Sequence, residues 1–289
     1  MKKIGWLFVA PALIHLIVFA GIPIFYAAYI SLFDWRILRD EMPFVGLGQY
    51  VDVMRDARFW QAMWNSVRFV VLSVPAGTIV ALLVALLVAQ KLRGMAFFRT
   101  VFYIPAISSG VAIAMLWTYV YLPETGLINT FLAFFGRESI DFLNDKGWAM
   151  PALAFMAVWT GLGPKMVIYV AGIMGIPPSL YEAADLDGAT GMRKFFSVTV
   201  PMLAPTTLFV LVTGTIGAFQ LFTPIYMMTQ GRPEDTTNVI GYHIYTEAWR
   251  RFQVSTAAAQ SFVLLLAIAL VAYAQYRGMK RQLEGYSAG

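Results

Sequence analysis

Long apolar runs alternate along this chain with shorter polar stretches. Six runs carry almost no charge, and each exceeds the roughly 18 apolar residues that mark a membrane-spanning helix. The six predicted spans cover residues 6–32, 69–90, 100–121, 148–176, 200–228 and 257–276. Membrane strands are near 10 residues long and alternate their faces, so runs of this length predict helices. The pattern predicts an all-α polytopic membrane helical bundle of six transmembrane helices, with residues 1–289 as a single domain.

The first run starts like a signal peptide, with two lysines followed by apolar residues. Its uncharged part, Ile4–Phe33, is much longer than the roughly 7–15-residue apolar core of a signal peptide. We therefore interpret the run as a retained first span.

Prolines interrupt several predicted spans, among them Pro75, Pro105, Pro164 and Pro224. Membrane helices tolerate such breaks where neighbouring helices or water satisfy the freed backbone groups. The pattern fits a translocation path, and it fits generic helix kinks about as well.

Composition supports the membrane assignment and excludes several other classes. Hydrophobic residues make up 59% of the chain and charged residues only 13%, whereas a soluble domain carries about 25% charge. The net charge of +5 does not indicate nucleic acid, because the basic residues lie near the ends of apolar runs. The absence of cysteine excludes disulfides, thiol catalysis and thiolate metal sites.

Basic residues are concentrated in alternate loops, which predicts the orientation. The cationic loops and termini carry Lys2, Lys3, Lys91, Arg93, Arg99, Arg277, Lys280 and Arg281. Most acids lie in the other loops. The positive-inside rule then places both termini in the cytoplasm, together with the polar segment 177–199.

The sequence lacks the residues that several kinds of chemistry require. No stretch fits the phosphate-binding pattern GxxxxGK[ST], and the two histidines, His15 and His243, lack metal-ligand spacing. No acid lies within a predicted span, although ion-coupled carriers usually place acids there. The sequence therefore predicts a chain without catalytic residues, metal or bound cofactor.

Lys165 is the one charge inside the fourth run, and it has two interpretations. An ionisable residue inside a membrane is costly and is often functional. The alternative is a lysine that pairs with backbone carbonyls or reaches water in a central cavity.

An outer segment clusters Phe59, Trp60, Met63 and Trp64 among charges. Aromatic residues at this position suit a helix at the membrane interface. A binding surface for a partner is the alternative.

The polar segment 177–199 predicts a compact helix–turn–helix. Ser179 and Glu182 fit a capping box at the start of a short helix, which Pro177 and Pro178 separate from the preceding span. Gly188 stands where a helix commonly ends with positive φ. Thr190 can cap a second short helix. The product is a knob suited to docking on another surface, or an ordinary capped loop.

The stretch "EAADLDGATGMRKFFSVTVPMLAP" closely resembles the EAA loop of permease subunits of ATP-binding-cassette importers. Valine stands in for the usual leucine before Pro201. The stretches "FFRTVFYIPAISSGVAIAMLWTYVY" and "AFQLFTPIYMMTQGRP" also resemble sugar-importer permeases of the maltose and glycerol-3-phosphate type, first-subunit branch. The resemblance covers most of the chain.

The resemblance implies a division of labour between subunits in a prokaryotic cytoplasmic membrane. This chain is expected to pair with a second permease subunit, and two ATPase subunits are expected to hold the ATP and Mg²⁺. An extracytoplasmic binding protein is expected to deliver the solute. The residues that match the coupling-helix pattern are Glu182, Ala183, Ala184, Asp187, Gly188, Ala189, Phe196 and Pro201.

The same resemblance implies a solute path along the spans that flank the knob. The matching and neighbouring residues are Trp159, Thr160, Gly161, Lys165, Gly214, Ala218, Gln220 and Leu221. Most of them are small or apolar, so the polar sugar contacts of the maltose type do not carry over, and the partner permease could supply the main contacts. Gly231-Arg232-Pro233 also departs from the usual Gly-Gly-Pro. A self-contained secondary carrier and an intramembrane enzyme are the competing classes, and the solute is left open.

Overall fold

Helices make up the regular structure of this chain in the computed structural model, which describes residues 2–38, 41–90 and 94–287. Lys91 and Arg93, two of the charges that predict the orientation, lie outside the described residues. The α-helices are α1 Lys2–Leu16, α2 Ile22–Ile30, α3 Gly48–Arg55, α4 Ala57–Val88, α5 Met95–Ile107, α6 Gly110–Val120, α7 Leu127–Phe134, α8 Ala149–Thr160, α9 Leu162–Met174, α10 Pro178–Leu186, α11 Gly191–Lys194, α12 Val200–Met202, α13 Ala204–Phe219, α14 Ile240–Tyr245 and α15 Val254–Ser287. Short π-helical turns lie at Ile17–Gly21, Phe195–Thr199, Ile225–Thr229 and Thr246–Arg250. The all-α prediction is confirmed.

Up to six membrane spans are present in the described part of the chain. Three helical stretches are each long and apolar enough to cross a membrane, namely Phe8–Ile30, Ala57–Val88 and Val254–Lys280. Three further candidates are bent pairs: α5 with α6 at 100°, α8 with α9 at 48°, and Gly191–Met202 with α13 at 65°. The count agrees with the predicted six, but three of the spans are broken rather than straight.

Proline and serine chemistry accounts for the breaks. The α8–α9 bend falls at Gly161, and Pro164 lies in the first turn of α9, where a missing N–H leaves no helical bond unmade. Pro205 occupies the same kind of position in α13. At the α5–α6 bend, Ser108 is extended, and its hydroxyl donates to the Ile104 carbonyl at 3.0 Å. The broken ends therefore keep part of their hydrogen bonding inside the chain.

The second predicted span begins earlier than the charge pattern indicated. Helix α4 starts at Ala57, because the Asp56 carboxylate accepts a hydrogen bond from the Arg58 backbone N–H at 2.9 Å and caps the helix. The predicted interfacial segment is therefore the first part of α4. Phe59 and Met63 are buried on it, while Trp60 and Trp64 remain exposed.

The chain forms two compact units. The first contains Met1–Gln61 and Ile240–Ala267, and the second contains Ala62–Val239 and Ile268–Gly289. Within the first, the Ser255 hydroxyl donates to the Ile30 carbonyl at 2.8 Å and accepts from the Trp35 N–H at 3.0 Å. Within the second, a buried cluster joins α4, α9 and α13 through residues such as Ala81, Met166 and Val210.

Candidate functional site

The knob of residues 177–199 begins with α10, which starts one residue before Ser179. Pro177 is the N-cap and Pro178 the first helical residue, and no side chain caps this end. The predicted capping box between Ser179 and Glu182 is therefore wrong. A proline at the first position of a helix has the required φ and needs no N–H there, so it displaces serine from the capping position.

The end of α10 is the turn that the sequence predicted. Gly188 has φ +68°, its N–H donates to the Asp185 carbonyl at 3.0 Å, and the Ala189 N–H donates to the Ala184 carbonyl at 2.9 Å. These two bonds form a Schellman motif, which satisfies the last carbonyls of the helix. The glycine of the Asp-Gly-Ala sequence is thus explained by local structure, because only glycine takes this φ without strain.

The second half of the knob is tied to the first by side chains. Thr190 is the N-cap of α11 as predicted, although its hydroxyl makes no capping bond. Lys194 on α11 forms an ion pair with Asp185 on α10. The Tyr181 hydroxyl lies 3.0 Å from that of Thr199, and the Tyr181 ring packs against the buried cluster of α4, α9 and α13. The knob is therefore anchored at its base to that cluster.

Most residues of the predicted coupling surface are accessible on this knob. The exposed members are Glu182, Ala183, Asp187, Gly188 and Phe196 on the knob and Pro201 just after it, while Ala184 and Ala189 are half-buried. Leu186 and Met192 are also exposed on the knob, by 91% and 69%, although neither is among the residues that match the coupling-helix pattern. Large apolar residues inside a polar segment were the signal that could have identified them.

A cavity of about 220 Å³ lies in the second unit and includes part of the predicted solute path. It is lined by Phe69, Ser73, Val74, Ala157, Lys165, Gly214, Gly217, Ala218 and Leu221. Four residues of the predicted solute path therefore line the same cavity: Lys165, Gly214, Ala218 and Leu221. The sequence did not predict that α4 lines the cavity. A signal for it was the helix-weakening stretch inside an apolar run, Ser73-Val-Pro-Ala-Gly77.

Glycines surround the Lys165 ammonium inside this cavity. A Cβ built on Gly77 of α4 would lie 2.8 Å from the Lys165 Nζ, and one on Gly161 would lie 3.6 Å away. One on Gly214 of α13 would lie 3.9 Å away. Each of three backbone segments therefore has a glycine at the position facing the ammonium, and the missing side chains leave room for it.

The other predicted path residues are placed elsewhere. Trp159 packs edge-on against Trp117, with ring centroids 5.5 Å apart. The Thr160 hydroxyl donates to the Met156 carbonyl at 2.9 Å. Gln220 is exposed at the C-terminal end of α13. Gly161 borders the Lys165 ammonium without lining the cavity.

The first unit contains a second, strongly charged cavity of about 430 Å³. Its lining includes Asp34, Asp52, Asp56, Glu247 and Arg251. Burial raises the pKa of Glu247, the Arg251 guanidinium opposes that shift, and Asp56 adds to it. Arg251 and Glu247 also form an ion pair. Arg251 is the main compensating charge for this carboxylate, with Arg58 acting in the same direction and the His243 Nε2 3.7 Å away.

We expect Arg251→Met to lower the unfolding free energy by about 2 kcal/mol at pH 8, because it removes the guanidinium partner of the buried Glu247 carboxylate and leaves His243, with its Nε2 3.7 Å away, as the nearest basic group. This loss of about 2 kcal/mol is smaller than the roughly 3–5 kcal/mol for breaking a fully buried pair, because 39% of the Arg251 side chain is exposed to screening by solvent. With a folded-state pKa above the unfolded value of about 4.3, Glu247 binds more protons when folded, so its contribution to stability falls as pH rises. The loss should therefore be smaller at pH 5.

Thermal unfolding at the two pH values measures this effect. The double variant Arg251→Met/Glu247→Gln is the control, because it removes both charges and should recover most of the stability. An equal loss in the single variant at both pH values would contradict the prediction.

The described residues contain no group of three or more His, Cys, Asp or Glu side chains that could hold a metal ion. What they contain is a set of apolar helices long enough for up to six spans, a cavity with one lysine, and an anchored knob. These features define a multi-pass membrane protein.

Comparison with known proteins identifies the family. Residues 58–283 match the model of the binding-protein-dependent transport system inner membrane component family. This chain is 36% identical to the lactose transport system permease protein LacF of Rhizobium radiobacter, over 94% of this chain and 92% of the relative. It is 33% identical to the sn-glycerol-3-phosphate transport system permease protein UgpA of Escherichia coli strain UTI89, over 98% and 96%.

A solved structure shows the same fold. A chain of a bacterial ABC transporter involved in the import of the acidic polysaccharide alginate superposes with a TM-score of 0.81 at 24% identity, covering 96% of both chains. The chain therefore belongs to the binding-protein-dependent transport system inner membrane component family. It is a permease subunit of an ABC importer located in the inner membrane, as the sequence predicted.

Proposed function

We propose that this subunit imports a carbohydrate or a carbohydrate-like solute, and that its knob receives force from an ATPase subunit. The observation that carries the proposal is the pairing of a cavity between α4, α9 and α13 with a knob seated on the same three helices. Movement of the knob would therefore act on elements that line the cavity.

The carbohydrate class rests on the relatives. LacF is named for lactose transport and UgpA for sn-glycerol-3-phosphate transport, and the structural match imports alginate. These cargoes are a sugar, a polyol phosphate and a polysaccharide. Their common features are hydroxyl groups and a carbon backbone, and the class is transferred to this chain only at that level.

The proposed assembly contains four kinds of component. This chain pairs with a second permease, two ATPase subunits bind ATP and Mg²⁺, and an extracytoplasmic protein delivers the solute. The lack of a phosphate-binding loop in this sequence supports that division. The family description itself requires a binding protein.

The proposed orientation places both termini and the knob in the cytoplasm. Arg99 supports it, because the guanidinium at the start of the third span donates to the Val88 carbonyl at 2.7 Å, at the end of α4. A cation suits the C-terminal end of a helix, and on the cytoplasmic side it also follows the positive-inside rule. The proposed spans are residues 6–32, 69–90, 100–121, 148–176, 200–228 and 257–276.

Within this assembly, the proposed coupling residues are the eight that match the coupling-helix pattern, joined by the exposed Leu186 and Met192. The proposed solute contacts are the cavity residues Lys165, Gly214, Ala218 and Leu221. Trp159, Thr160, Gly161 and Gln220 are retained as path residues for stages of transport in which the cavity is differently shaped.

Co-purification and reconstitution test the proposal together. Tagged chain is expected to bring down a second permease and an ATPase, and the complex should take up sugar only with ATP and the binding protein. A chain that purifies alone and moves solute without ATP would instead be a secondary carrier.

We expect Glu182→Lys to weaken ATPase attachment several-fold, because it reverses a charge that is exposed on the proposed docking surface. The measurement is ATPase recovery with tagged permease at two salt concentrations, since an exposed charge contact weakens with ionic strength. Glu138→Lys is the matched control, because Glu138 is also an exposed acid but lies outside the knob. Equal recovery in both variants would remove Glu182 from the docking surface.

A further inference from the structure

We propose that the transported solute carries an anionic group, a carboxylate or a phosphate, which the Lys165 ammonium receives in the cavity of the second unit. The proposal rests on the proposed function and narrows its substrate class from carbohydrates in general to acidic sugars and polyol phosphates. It is carried by the geometry around one lysine.

The first step is the lack of a counter-ion. In the described part of the chain, the Lys165 ammonium has neither a carboxylate within 4.0 Å nor a hydrogen-bond acceptor. Among the described residues that line the cavity, Ser73 has the only other polar side chain, and its hydroxyl already donates to the Phe69 carbonyl at 2.7 Å. A positive charge at membrane depth is costly unless it is paired or hydrated.

The second step is the space around the charge. Gly77, Gly161 and Gly214 come from three backbone segments, and a methyl group on Gly77 would overlap the ammonium at 2.8 Å. A lysine whose role was only to reach water or a backbone carbonyl would not require three neighbouring positions without side chains. The clearance leaves the ammonium accessible to a group that enters the cavity.

The third step is the nature of the remaining lining. Phe69, Val74 and Leu221 present apolar surface beside the ammonium. Such a wall packs against the carbon face of a sugar ring or polyol, while the ammonium acts as a compact point charge for an anionic oxygen. At about 220 Å³ the cavity is below the roughly 300–1,000 Å³ of sites for drug-sized ligands, so it suits one sugar unit at a time.

The test uses the complete transporter, reconstituted in proteoliposomes with its own ATPase subunits, second permease and binding protein. The probes are glucuronate with its neutral counterpart glucose, and glycerol 3-phosphate with glycerol. Uptake of glucuronate but not glycerol 3-phosphate assigns the anionic group to a carboxylate, and the reverse assigns it to a phosphate. In either case, Lys165→Met is expected to reduce uptake of the acidic probe by about ten-fold, through a raised KM, which corresponds to about 1.4 kcal/mol.

Two further variants keep the test decisive if Lys165→Met assembles poorly. Gly77→Ala displaces the ammonium without removing it, and we expect a smaller loss for the acidic probe with normal subunit recovery. Gly278→Ala is the control, because a Cβ there contacts nothing within 4 Å and lies outside the cavity. It should transport like wild type.

Three results would overturn the inference. Wild type could transport only a neutral probe, acidic uptake could be unchanged in Lys165→Met and Gly77→Ala, or Lys165 could be shown by cross-linking to pair permanently with a partner carboxylate. Failure of the proposed function looks different, because the tagged chain would then purify without a second permease and an ATPase and would move solute without ATP. That outcome would remove both proposals.

Discussion

Replacing Gly188 by valine is expected to separate ATP hydrolysis from transport. The variant should keep membrane insertion and subunit assembly, while solute uptake per ATP hydrolysed falls by about ten-fold or more. A coupling free energy of about 1–3 kcal/mol corresponds to an effect of roughly 5–150-fold, which sets the scale.

The physical reason is the backbone conformation at the end of α10. Gly188 has φ +68°, and a β-branched residue there is strained by about 1–3 kcal/mol even though a Cβ would contact nothing within 4 Å. The strain is relieved by moving the turn, which breaks the Ala189 N–H bond to the Ala184 carbonyl. The surface that includes Glu182 and Phe196 would then lose its arrangement.

The chain offers a control with the same local geometry. Gly136 ends α7 with φ +68° and open space around its Cβ, and its motif uses the same two bonds, from Gly136 to Ala133 and from Arg137 to Leu132. Gly136→Val therefore has the same backbone strain outside the knob. ATPase rate and uptake are measured in the same proteoliposomes. Equal uncoupling in both variants would show that general destabilisation, rather than the knob, explains the effect.

Gly188 also shows how much of the fold the sequence could predict. The spans were predictable because charge is excluded from long segments, and the turn was predictable because a glycine commonly follows the last turn of a helix. The start of α10 was not, because Ser179 and Pro178 both favour a helix start and only their competition decides the register. The early start of α4 was missed for a similar reason, since the Asp56 cap was hidden in a charged stretch.

The candidate site was predictable in part. Lys165 stood out as a charge within an apolar run, and Gly214, Ala218 and Leu221 followed from the resemblance. The α4 wall could not be located because contact between α4, α9 and α13 depends on packing between segments distant in sequence. The same long-range packing turns Trp159 toward Trp117 rather than into the cavity.

The knob and the cavity share their supports. Lys165 is near the start of α9, and Tyr169 and Met166 on the same helix belong to the cluster against which Tyr181 of the knob packs. Because packed interiors are dense, we expect a displacement of the knob to be transmitted to α9 rather than absorbed. Coupling over this distance needs only the stiffness of one helix and its contacts.

The stiffness of α9 depends on its close approach to α5. Gly163 lies at this contact, so Gly163→Ala tests it. Gly163 is buried on α9, and a Cβ there would lie 2.5 Å from the Phe102 carbonyl oxygen and 2.7 Å from the Tyr103 Cα. Both atoms are backbone, so no rotamer change relieves the overlap, and the two helices must separate. Small residues permit such backbone contact between membrane helices.

We therefore expect Gly163→Ala to reduce the unfolding free energy by about 3 kcal/mol, near the upper end for overpacking. Thermal unfolding of the detergent-solubilised complex measures it, with protease sensitivity at the α5–α6 bend as a second readout. Gly278→Ala is the control for the change in helix propensity, because a Cβ there contacts nothing within 4 Å. That substitution should raise the unfolding free energy by roughly 0.5–1 kcal/mol. A Gly163→Ala protein as stable as Gly278→Ala would mean that α5 and α9 are not in backbone contact, and that the knob moves α9 independently of α5.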